Sequence, residues 1–249
     1  MSRVFLAGAG PGDPELLTLK TARLLASAEV VLHDSLVDPR IIAMAHPAAR
    51  IIDVGKRCGR HSATQEQICD LLVAEALAGH VVVRLKGGDP MIFGRATEEM
   101  DALRANDIDF EIIPGITAAS AAAAGARISL TQRNIARSLH IITGHGADGG
   151  LPGHDFCALT KSGGTLAIYM GGETLPGLAA HFIESGMEPS MPALLIENAS
   201  LPNERHLPAT IATLPALHAA HGATGPVLIL VGEALRESET MLHLEAVAA

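Results

Sequence analysis

Aromatic side chains are scarce in this 249-residue sequence: they make up 2% of the chain, and tryptophan is absent. Too few rings are present to stack on a series of exposed bases, which argues against a platform for single-stranded nucleic acid. The formal net charge of -9 also argues against nucleic-acid binding in general, because phosphate backbones attract basic surfaces. We therefore predict no nucleic-acid partner. The hydrophobic core must be built mainly from aliphatic side chains.

Cysteine is equally rare, and its spacing excludes the common paired motifs. No C-x-x-C motif occurs, so we expect free thiols in a reducing cytoplasm rather than a disulfide or a zinc site. The three cysteines are Cys58, Cys69 and Cys157. Three histidines lie near one another at 140, 145 and 154, but in a glycine-rich segment without the helical i, i+4 spacing of metal ligands. We predict no metal site.

Long hydrophobic runs are missing as well. No apolar run approaches the roughly 20 residues that cross a bilayer. The N-terminal residues lead directly into a strand pattern, without the apolar stretch and cleavage site of a signal peptide. We predict a cytoplasmic protein without a membrane partner.

The apolar residues that are present form short runs. Each run is nearly continuous rather than alternating, which is typical of strands buried on both faces, as in parallel sheets. The runs are RVFLAG, VVLHD, VVVRLKG, FEIIPG, HIITGH, TLAIYMG, ALLIENA and VLILVG. Helical patterns lie between them, at 15–28, 65–78, 97–105 and 175–185. This alternation of strands and helices predicts an α/β fold.

The segment IIPGITAASAAAAGA divides this pattern near its middle. Pro114 and Gly115 end the preceding strand, and Thr117 can cap the alanine-rich helix that follows. We predict two α/β lobes, 1–114 and 115–249, and a cleft between two such lobes is the usual place for a ligand.

The glycine-rich turn after the first run, GAGPGD, is a candidate ligand site. Gly8 and Gly10 match the first two glycines of a dinucleotide fingerprint, but Asp13 stands where the third is required. Pro11 donates no N–H, which makes the turn a poor pyrophosphate cradle and weakens the case for an NAD-dependent oxidoreductase. The G-x-x-x-x-G-K-[ST] motif of P-loop nucleotidases is absent. The residues alone leave open whether this turn binds a ligand or only reverses the chain.

A second glycine-rich turn after a predicted strand favours ligand binding over a simple chain reversal. Gly87 and Gly88 let a backbone approach a ligand closely, and the Asp89 carboxylate suits a hydroxyl or a cation better than a phosphate. Asp89 can equally form a turn before Pro90, and it can do both. Further loops of small residues follow later runs, in PGITAAS, YMGG and ENAS. Because ligands gather at the carboxyl ends of strands in α/β sheets, we expect several of these loops to converge.

Together these motifs resemble the successive signatures of the uroporphyrinogen-III C-methyltransferases, within the tetrapyrrole methylases. The matching stretches are GAGPGDPELLTLK, VLHDSLV, GKR, VVRLKGGDPMIFGR, PGIT, LTQR, TGH and YMGG. RLKGGDP followed by FGR, together with GKR, is the most specific part of the resemblance, which covers Val4 to about Gly232. It implies a two-lobed fold unrelated to Rossmann methyltransferases. Each lobe would be a mainly parallel or mixed sheet flanked by helices, with the active site in the cleft between the lobes.

The resemblance also implies an activity. S-adenosyl-L-methionine would donate methyl groups to C2 and C7 of uroporphyrinogen III, giving precorrin-2 and S-adenosyl-L-homocysteine, in a homodimer. The alternatives are a methylase acting on a later corrin precursor or another acceptor, a non-catalytic ligand-binding protein with this fold, and the NAD-dependent oxidoreductase. No dinucleotide-binding extension precedes the first strand, so we expect neither the dehydrogenase nor the ferrochelatase step of fused siroheme synthases. The pathway supplied (sirohaem, cobalamin or haem d1) is left open.

Matched position by position, the resemblance assigns candidate site residues. The cofactor residues are Pro11, Gly87, Gly88, Asp89, Ile92, Thr117, Ala118, Met170 and Ala199. The substrate residues are Arg95, Glu98, Arg133 and Met170, and arginine forks suit the carboxylates of the macrocycle. The candidate catalytic residues are Asp34, which matches the proton acceptor proposed for the family, and Lys56, which matches the proposed proton donor. Arg95 could instead promote the proton transfer electrostatically, and the sequence leaves this choice open. Three places depart from the family pattern on the expected substrate side: His33, Ala96–Thr97 and Gln132.

Overall fold

The computed structural model describes residues 4–55, 63–146 and 149–238. The chain divides into two compact units, Met1–Thr117 and Ala118–Ala249. Both units combine a β-sheet with helices, which confirms the predicted α/β class. The lobe limits at 114 and 115 remain a prediction. Among the described residues, none of the helices has the length and hydrophobicity needed to cross a bilayer.

The described part of the first unit contains a five-stranded parallel sheet. Its strands are β1 (Val4–Gly8), β2 (Val30–His33), β3 (Arg50–Asp53), β4 (Val82–Lys86) and β5 (Phe110–Ile113). Its helices are α1 (Leu19–Leu25), α2 (Pro39–Ile42), α3 (Gln65–Leu77) and α4 (Ala96–Ala105). The strand order is β3-β2-β4-β1-β5, and all neighbours run in the same direction. The carboxyl ends of all five strands therefore lie at one edge of the sheet.

Both faces of this sheet are covered, which explains why its inner strands are continuously apolar. Leu32 of β2 belongs to a buried cluster with Leu72 of α3 and Leu103 of α4. The preceding residue, Val31, faces the other side and belongs to a cluster with Leu25 of α1 and Ile41 of α2. Successive side chains of a strand thus enter two different cores.

The helix starts follow local capping chemistry. At α3, the Thr64 hydroxyl accepts a hydrogen bond from Gln67 N at 3.2 Å, and Gln67 Oε1 accepts one from Thr64 N at 2.9 Å. This reciprocal pair is a capping box, and the predicted helix at 65–78 forms as expected. The predicted helix at 15–28 is shorter, because Leu17 is extended and Thr18 caps α1, which ends at Leu25.

The second unit has a mixed sheet in its described part. Its strands are β6 (Leu139–Thr143), β7 (Thr165–Tyr169), β8 (Pro192–Glu197), β9 (Arg205–Thr210) and β10 (Val227–Val231). Its helices are α5 (Ala118–Gly125), α6 (Phe156–Lys161), α7 (Leu175–Glu184) and α8 (Leu214–His221). The order is β6-β7-β10-β8-β9; β6 and β7 are parallel, and the other neighbours are antiparallel. The prediction of a mainly parallel or mixed sheet in each unit is confirmed.

Strand direction in this sheet differs from what its apolar runs suggest. Ile229 of β10 packs in a core with Phe182 of α7, while the adjacent Leu228 packs on the other face with Ala122 of α5. The sheet is therefore buried on both faces although β8, β9 and β10 pair in antiparallel fashion. The predicted burial on both faces is confirmed, and it occurs here with antiparallel neighbours as well, because burial and not direction makes a strand continuously apolar.

Glycines bring the ends of three strands of the first unit close together. A Cβ atom added to Gly115, which follows β5, would lie 2.2 Å from the Gly88 carbonyl oxygen and 2.9 Å from Gly8 Cα. A Cβ atom on Gly8, the last residue of β1, would lie 2.6 Å from Gly115 Cα. These neighbours are backbone atoms, which cannot rotate away as a flexible side chain does. Only glycine permits this approach of the segments that follow β1, β4 and β5.

Replacing Gly115 with alanine should therefore destabilise the protein by about 3 kcal/mol, because the new methyl group overlaps the backbone. Gly153→Ala is the control: a Cβ atom there meets nothing within 4 Å. We expect the control to change stability by less than about 0.5 kcal/mol. Urea unfolding followed by far-ultraviolet circular dichroism measures both. An unchanged midpoint for Gly115→Ala would show that the three segments do not approach so closely.

Candidate active site

The turns after β1 and β4 are joined by backbone hydrogen bonds at the carboxyl edge of the first sheet. Gly10 N donates to Gly88 O at 3.1 Å, and Gly88 N donates to Gly10 O at 2.7 Å. Both residues have left-handed backbones, with φ of 69° and 68°, which glycine adopts without strain. A Cβ atom on Gly88 would meet nothing within 4 Å, so its backbone is open to an approaching molecule. The predicted convergence of these two turns is present in the structure.

Asp89 links the turn after β4 to the segment after β5. Its Oδ1 accepts from Met91 N at 2.8 Å, and its Oδ2 accepts from Gly115 N at 3.0 Å. Its carbonyl oxygen accepts from Ile92 N at 3.2 Å. The turn-forming role considered from the sequence is thus present, together with a second bond between segments that are distant in sequence. Pro11, in the neighbouring turn after β1, is half-buried.

Four charged side chains form a connected group beneath this edge. Arg84 Nη2 donates to Asp34 Oδ1 at 2.5 Å, and Arg84 Nε donates to Glu99 Oε1 at 3.0 Å. Lys86 Nζ donates to the same Glu99 oxygen at 2.7 Å. The Glu99, Arg84 and Lys86 side chains are at most 3% exposed, whereas that of Asp34 is 31% exposed. We call these four residues the buried charge chain, and Asp34 is its end nearest to solvent.

Burial lowers the pKa of Lys86, because an ammonium group loses hydration inside the protein. The positive charge of Arg84 acts in the same direction, while the carboxylates of Glu99 and Asp34 oppose it. The two carboxylates therefore stabilise the charged ammonium group of Lys86, as hydration stabilises a lysine at the surface. Removing either one would favour the neutral amine.

Arg95 lies at the start of α4 in a left-handed conformation, with φ of 52°. Its Nε and Nη2 donate to Glu98 Oε1 at 2.9 and 2.6 Å, and both side chains are about half exposed. Phe93, two residues earlier, also has φ of 52°. Bulky residues adopt this conformation at a cost, and such strain concentrates at functional sites.

Two predicted site residues of the second unit, Met170 and Ala199, lie near the carboxyl ends of β7 and β8. Met170 directly follows β7, with φ of 55° and 51% exposure. The adjacent Tyr169 accepts a hydrogen bond from Ala119 N at 2.9 Å through its hydroxyl group, which connects Met170 to the start of α5 at Ala118. Ala199, which closely follows β8, packs against the same apolar cluster as Tyr169.

Three further predicted site residues are Arg133, Lys56 and Thr117. Arg133 is exposed in a loop where Gln132 and Ala136 exchange backbone hydrogen bonds of 2.8 and 2.9 Å. Lys56 lies outside the described residues. Thr117, the last residue of the first unit, is half-buried.

A family model of tetrapyrrole (corrin/porphyrin) methylases matches residues 3–215 of this sequence. The chain belongs to the tetrapyrrole methylase family. Among curated relatives, the methylase is 46% identical over 247 residues to a siroheme synthase of Ectopseudomonas mendocina, covering 98% of this chain and 53% of that protein. It is 44% identical over 233 residues to the siroheme synthase of Gluconacetobacter diazotrophicus, covering 94% of this chain and 50% of that protein. The chain thus spans about half the length of the curated relatives it matches.

Solved structures of methyltransferases share the fold of this methylase. A uroporphyrin-III C-methyl transferase from Thermus thermophilus, complexed with S-adenosyl homocysteine, has 40% sequence identity and a TM-score of 0.79. That match covers 94% of this chain and 99% of the other. A cobalt precorrin-4 methyltransferase has 30% identity and a TM-score of 0.84, over 93% of this chain and 95% of the other.

Sequence reasoning did not single out Arg84, Lys86 or Glu99 of the methylase. A signal for the first two was present, since VVVRLKG places two cations in a strand that otherwise reads as buried. A charge in a buried strand requires a partner of opposite sign. The partner, Glu99, has no such signal, because acidic residues are common in the first turn of an exposed helix.

Replacing Asp89 with asparagine should destabilise the methylase by about 2 kcal/mol, because an amide offers only one oxygen to the two backbone donors. Asp155→Asn is the matched control: one Asp155 oxygen accepts from Ala158 N at 2.9 Å, and asparagine caps a helix as well as aspartate does. Urea unfolding compares the two variants. Equal free energies of unfolding in the two variants would contradict a stabilising role for both Asp89 oxygens.

Proposed function

We propose that this methylase transfers two methyl groups from S-adenosyl-L-methionine to C2 and C7 of uroporphyrinogen III, producing precorrin-2. The observation that carries this proposal is the 40% identity to the uroporphyrin-III C-methyl transferase from Thermus thermophilus, over nearly the full length of both chains. The half-length match to siroheme synthases supports the same reaction class.

The carboxyl edge of the first sheet fits a ligand of this chemistry. S-adenosyl-L-methionine supplies an electrophilic methyl group on a positively charged sulfur and contains no phosphate. The turn at Pro11 lacks one of the N–H donors a phosphate cradle requires, while Gly88 leaves its backbone open to contact. Asp89 holds the turn that carries Gly87 and Gly88, so its carboxylate serves the site by fixing the backbone as well as by its charge.

We propose the other cofactor residues because they match the family position by position. In the first unit they are Ile92 and Thr117; in the second they are Ala118, Met170 and Ala199. Met170 is suited to contact a ligand because it is half exposed and strained, which a residue that only fills a core is not. Its neighbour Tyr169 fixes its position through the hydrogen bond from Ala119.

We assign proton acceptance to Asp34. When a pyrrole carbon gains a methyl group, the macrocycle must lose a proton, and a carboxylate within reach can accept it. Arg84 holds Asp34 Oδ1 at 2.5 Å and so fixes the direction of the carboxyl group. Hydrogen bonds to Oδ2 do not occur among the described residues, which leaves that oxygen to receive the proton. Lys56 remains the proposed proton donor.

Substrate carboxylates would be bound by exposed arginines. Arg95 already forms a two-pronged contact with Glu98, which resembles the contact it would make with a substrate carboxylate. We propose that substrate replaces Glu98 on this guanidinium and that Glu98 then takes another polar contact. Arg133, exposed in its loop, is the second proposed cation.

A methylase acting on a later corrin precursor is the second candidate function. Its support is the TM-score of 0.84 to the cobalt precorrin-4 methyltransferase, higher than that of the Thermus protein. Sequence identity favours the first candidate, at 40% against 30%. Identity weighs more here, because members of one family share a backbone while the substrate is read by side chains. We further propose a cytoplasmic homodimer.

The test of the proposed function is an anaerobic incubation with uroporphyrinogen III and S-adenosyl-L-methionine. Mass spectrometry of the product should show the gain of two methyl groups. Parallel incubations with later corrin precursors provide the comparison. Methylation of a later precursor alone would support the second candidate, and no methylation of any acceptor despite cofactor binding would refute both.

Arg95→Ala tests the assignment of the substrate site. Loss of two charge-assisted hydrogen bonds should lower kcat/KM for uroporphyrinogen III by about 100-fold. The dissociation constant of S-adenosyl-L-homocysteine, measured by calorimetry, should change by less than about threefold. Arg104→Ala is the control, because Arg104 lies on the same helix in a similar i, i+3 pair with Asp101. A comparable loss of cofactor affinity in Arg95→Ala would move Arg95 to the cofactor site.

A further inference from the structure

The buried charge chain extends well beyond the residue that would exchange a proton with substrate. Its order is Asp34, Arg84, Glu99 and Lys86, so negative and positive groups alternate. Arg84 bonds to a carboxylate on each side, and Glu99 Oε1 receives both cations. A change of charge at Glu99 is therefore felt at Asp34 through two short contacts, and a change at Lys86 through three.

The inner residues are too deeply buried for solvent to compensate such a change. Glu99 is fully buried, and Arg84 and Lys86 are each 2% exposed. Interactions between charges in such surroundings are screened much less than at a surface. One oxygen of Glu99, Oε2, is buried without a hydrogen-bond partner among the described residues. The protein thus keeps a fully buried carboxylate at a cost that packing alone does not explain.

We propose that Glu99 and Lys86 are positioning residues that act through Arg84 to set how firmly the Asp34 carboxylate holds a proton. This rests on the proposed function, in which Asp34 accepts the proton released by the methylated macrocycle. Glu99 occupies one side of the Arg84 guanidinium and so limits its attraction for Asp34. Lys86 in turn limits the attraction of Glu99 for Arg84, and it adds positive charge to the group.

Helix α4 gives Glu99 a second connection to the site. Glu99 lies one helical turn after Arg95, the residue at the start of α4. The Lys86 side chain passes beneath the same turn: a Cβ atom on Gly94 would lie 3.2 Å from Lys86 Cε. The contact between Lys86 and Glu99 therefore joins the end of β4 to the turn that presents Arg95. The proposed proton acceptor and substrate cation depend on the same buried pair.

Other polar and titratable groups surround the chain from the neighbouring elements. From α3, Gln65 Nε2 donates to Glu99 Oε1 at 3.4 Å and lies 4.0 Å from the Cys69 sulfur. Burial, followed by the charge of Glu99, raises the pKa of the Cys69 thiol, so this group stays neutral. From β2, His33 Nδ1 lies 3.1 Å from the Asp34 carbonyl oxygen. Because the His33 ring contacts the backbone of Asp34, the test includes a variant of it.

Glu99→Gln removes the inner negative charge and keeps the shape of the side chain. Arg84 then attracts Asp34 more strongly, which favours the ionised carboxylate. We expect the acid limb of the pH profile of kcat to move to lower pH by about half a unit to one unit. The plateau value of kcat should fall, since a carboxylate that holds a proton less firmly is a weaker base. Asp101→Asn, an exposed acid-to-amide change on the same helix, is the control and should leave the profile unchanged.

Lys86→Met removes the inner positive charge and should act in the opposite direction. Glu99 then binds Arg84 without competition, the Asp34 carboxylate is less stabilised, and the acid limb should move to higher pH by a similar amount. The double variant Lys86→Met/Glu99→Gln removes both charges and should restore the limb to near its wild-type position. The double variant is also the least prone to misfold, because a protein tolerates the removal of a whole buried ion pair better than the removal of one partner.

A spectroscopic titration makes the test independent of turnover. Aspartate labelled with ¹³C at the side-chain carboxyl carbon reports the protonation of Asp34 in the protein without substrate, and Asp34→Asn assigns its signal. Opposite shifts of the titration midpoint in the two single variants support the proposal. His33→Asn, run in parallel, should leave the direction of both shifts intact. Shifts of the same sign, or none in folded single or double variants, would overturn the proposal.

The two proposals can fail separately. If the wild-type protein does not methylate uroporphyrinogen III but the carboxyl titration shifts in opposite directions, the proposed function is wrong and the charge coupling stands. If methylation occurs with the same acid limb in all variants, the function stands and the positioning role is wrong.

Discussion

The contact of Glu99 with Arg84 and Lys86 is the constraint on which the first unit depends. It satisfies two cations that β4 carries into a buried sheet, and it attaches α4 to the strand edge that bears the candidate site. Because breaking such a buried contact leaves an uncompensated charge, the position of α4 relative to β4 is strongly specified. Asp34, Arg95 and the glycine turns are then positioned around a fixed point rather than by flexible loops.

The turns above this contact are held chiefly by backbone atoms. Gly10 and Gly88 exchange two hydrogen bonds, and Gly8 and Gly115 leave no room for a side chain. The side chain of Asp89, a predicted cofactor residue, takes part in this framework. The resulting surface is held by backbone hydrogen bonds and by one carboxylate. It suits a ligand recognised by shape and backbone contacts, in agreement with a nucleoside that has no phosphate.

Much of the fold could be predicted from the sequence because its inner strands are buried on both faces and therefore read as apolar runs. The strands that escaped prediction, β3 and β9, are sheet edges. β3 is largely exposed, and β9 contains Pro208, so backbone pairing rather than an apolar pattern makes them strands. The candidate site likewise contains features that the sequence predicts and features that it does not. Its glycine turns are visible as local motifs, whereas the bond between Asp34 and Arg84 joins residues 50 positions apart and leaves no trace in either segment.

The difference in strand direction between the two sheets also bears on how the chain assembles during synthesis. In the second sheet, β8 and β9 are successive antiparallel strands, so they can pair as soon as both have been made. In the first sheet, β1 pairs with β4 and β5, and it must remain without those partners while the intervening chain emerges. Strand β1 is thus open to wrong pairing while the chain is made, and its length of only five residues limits that hazard.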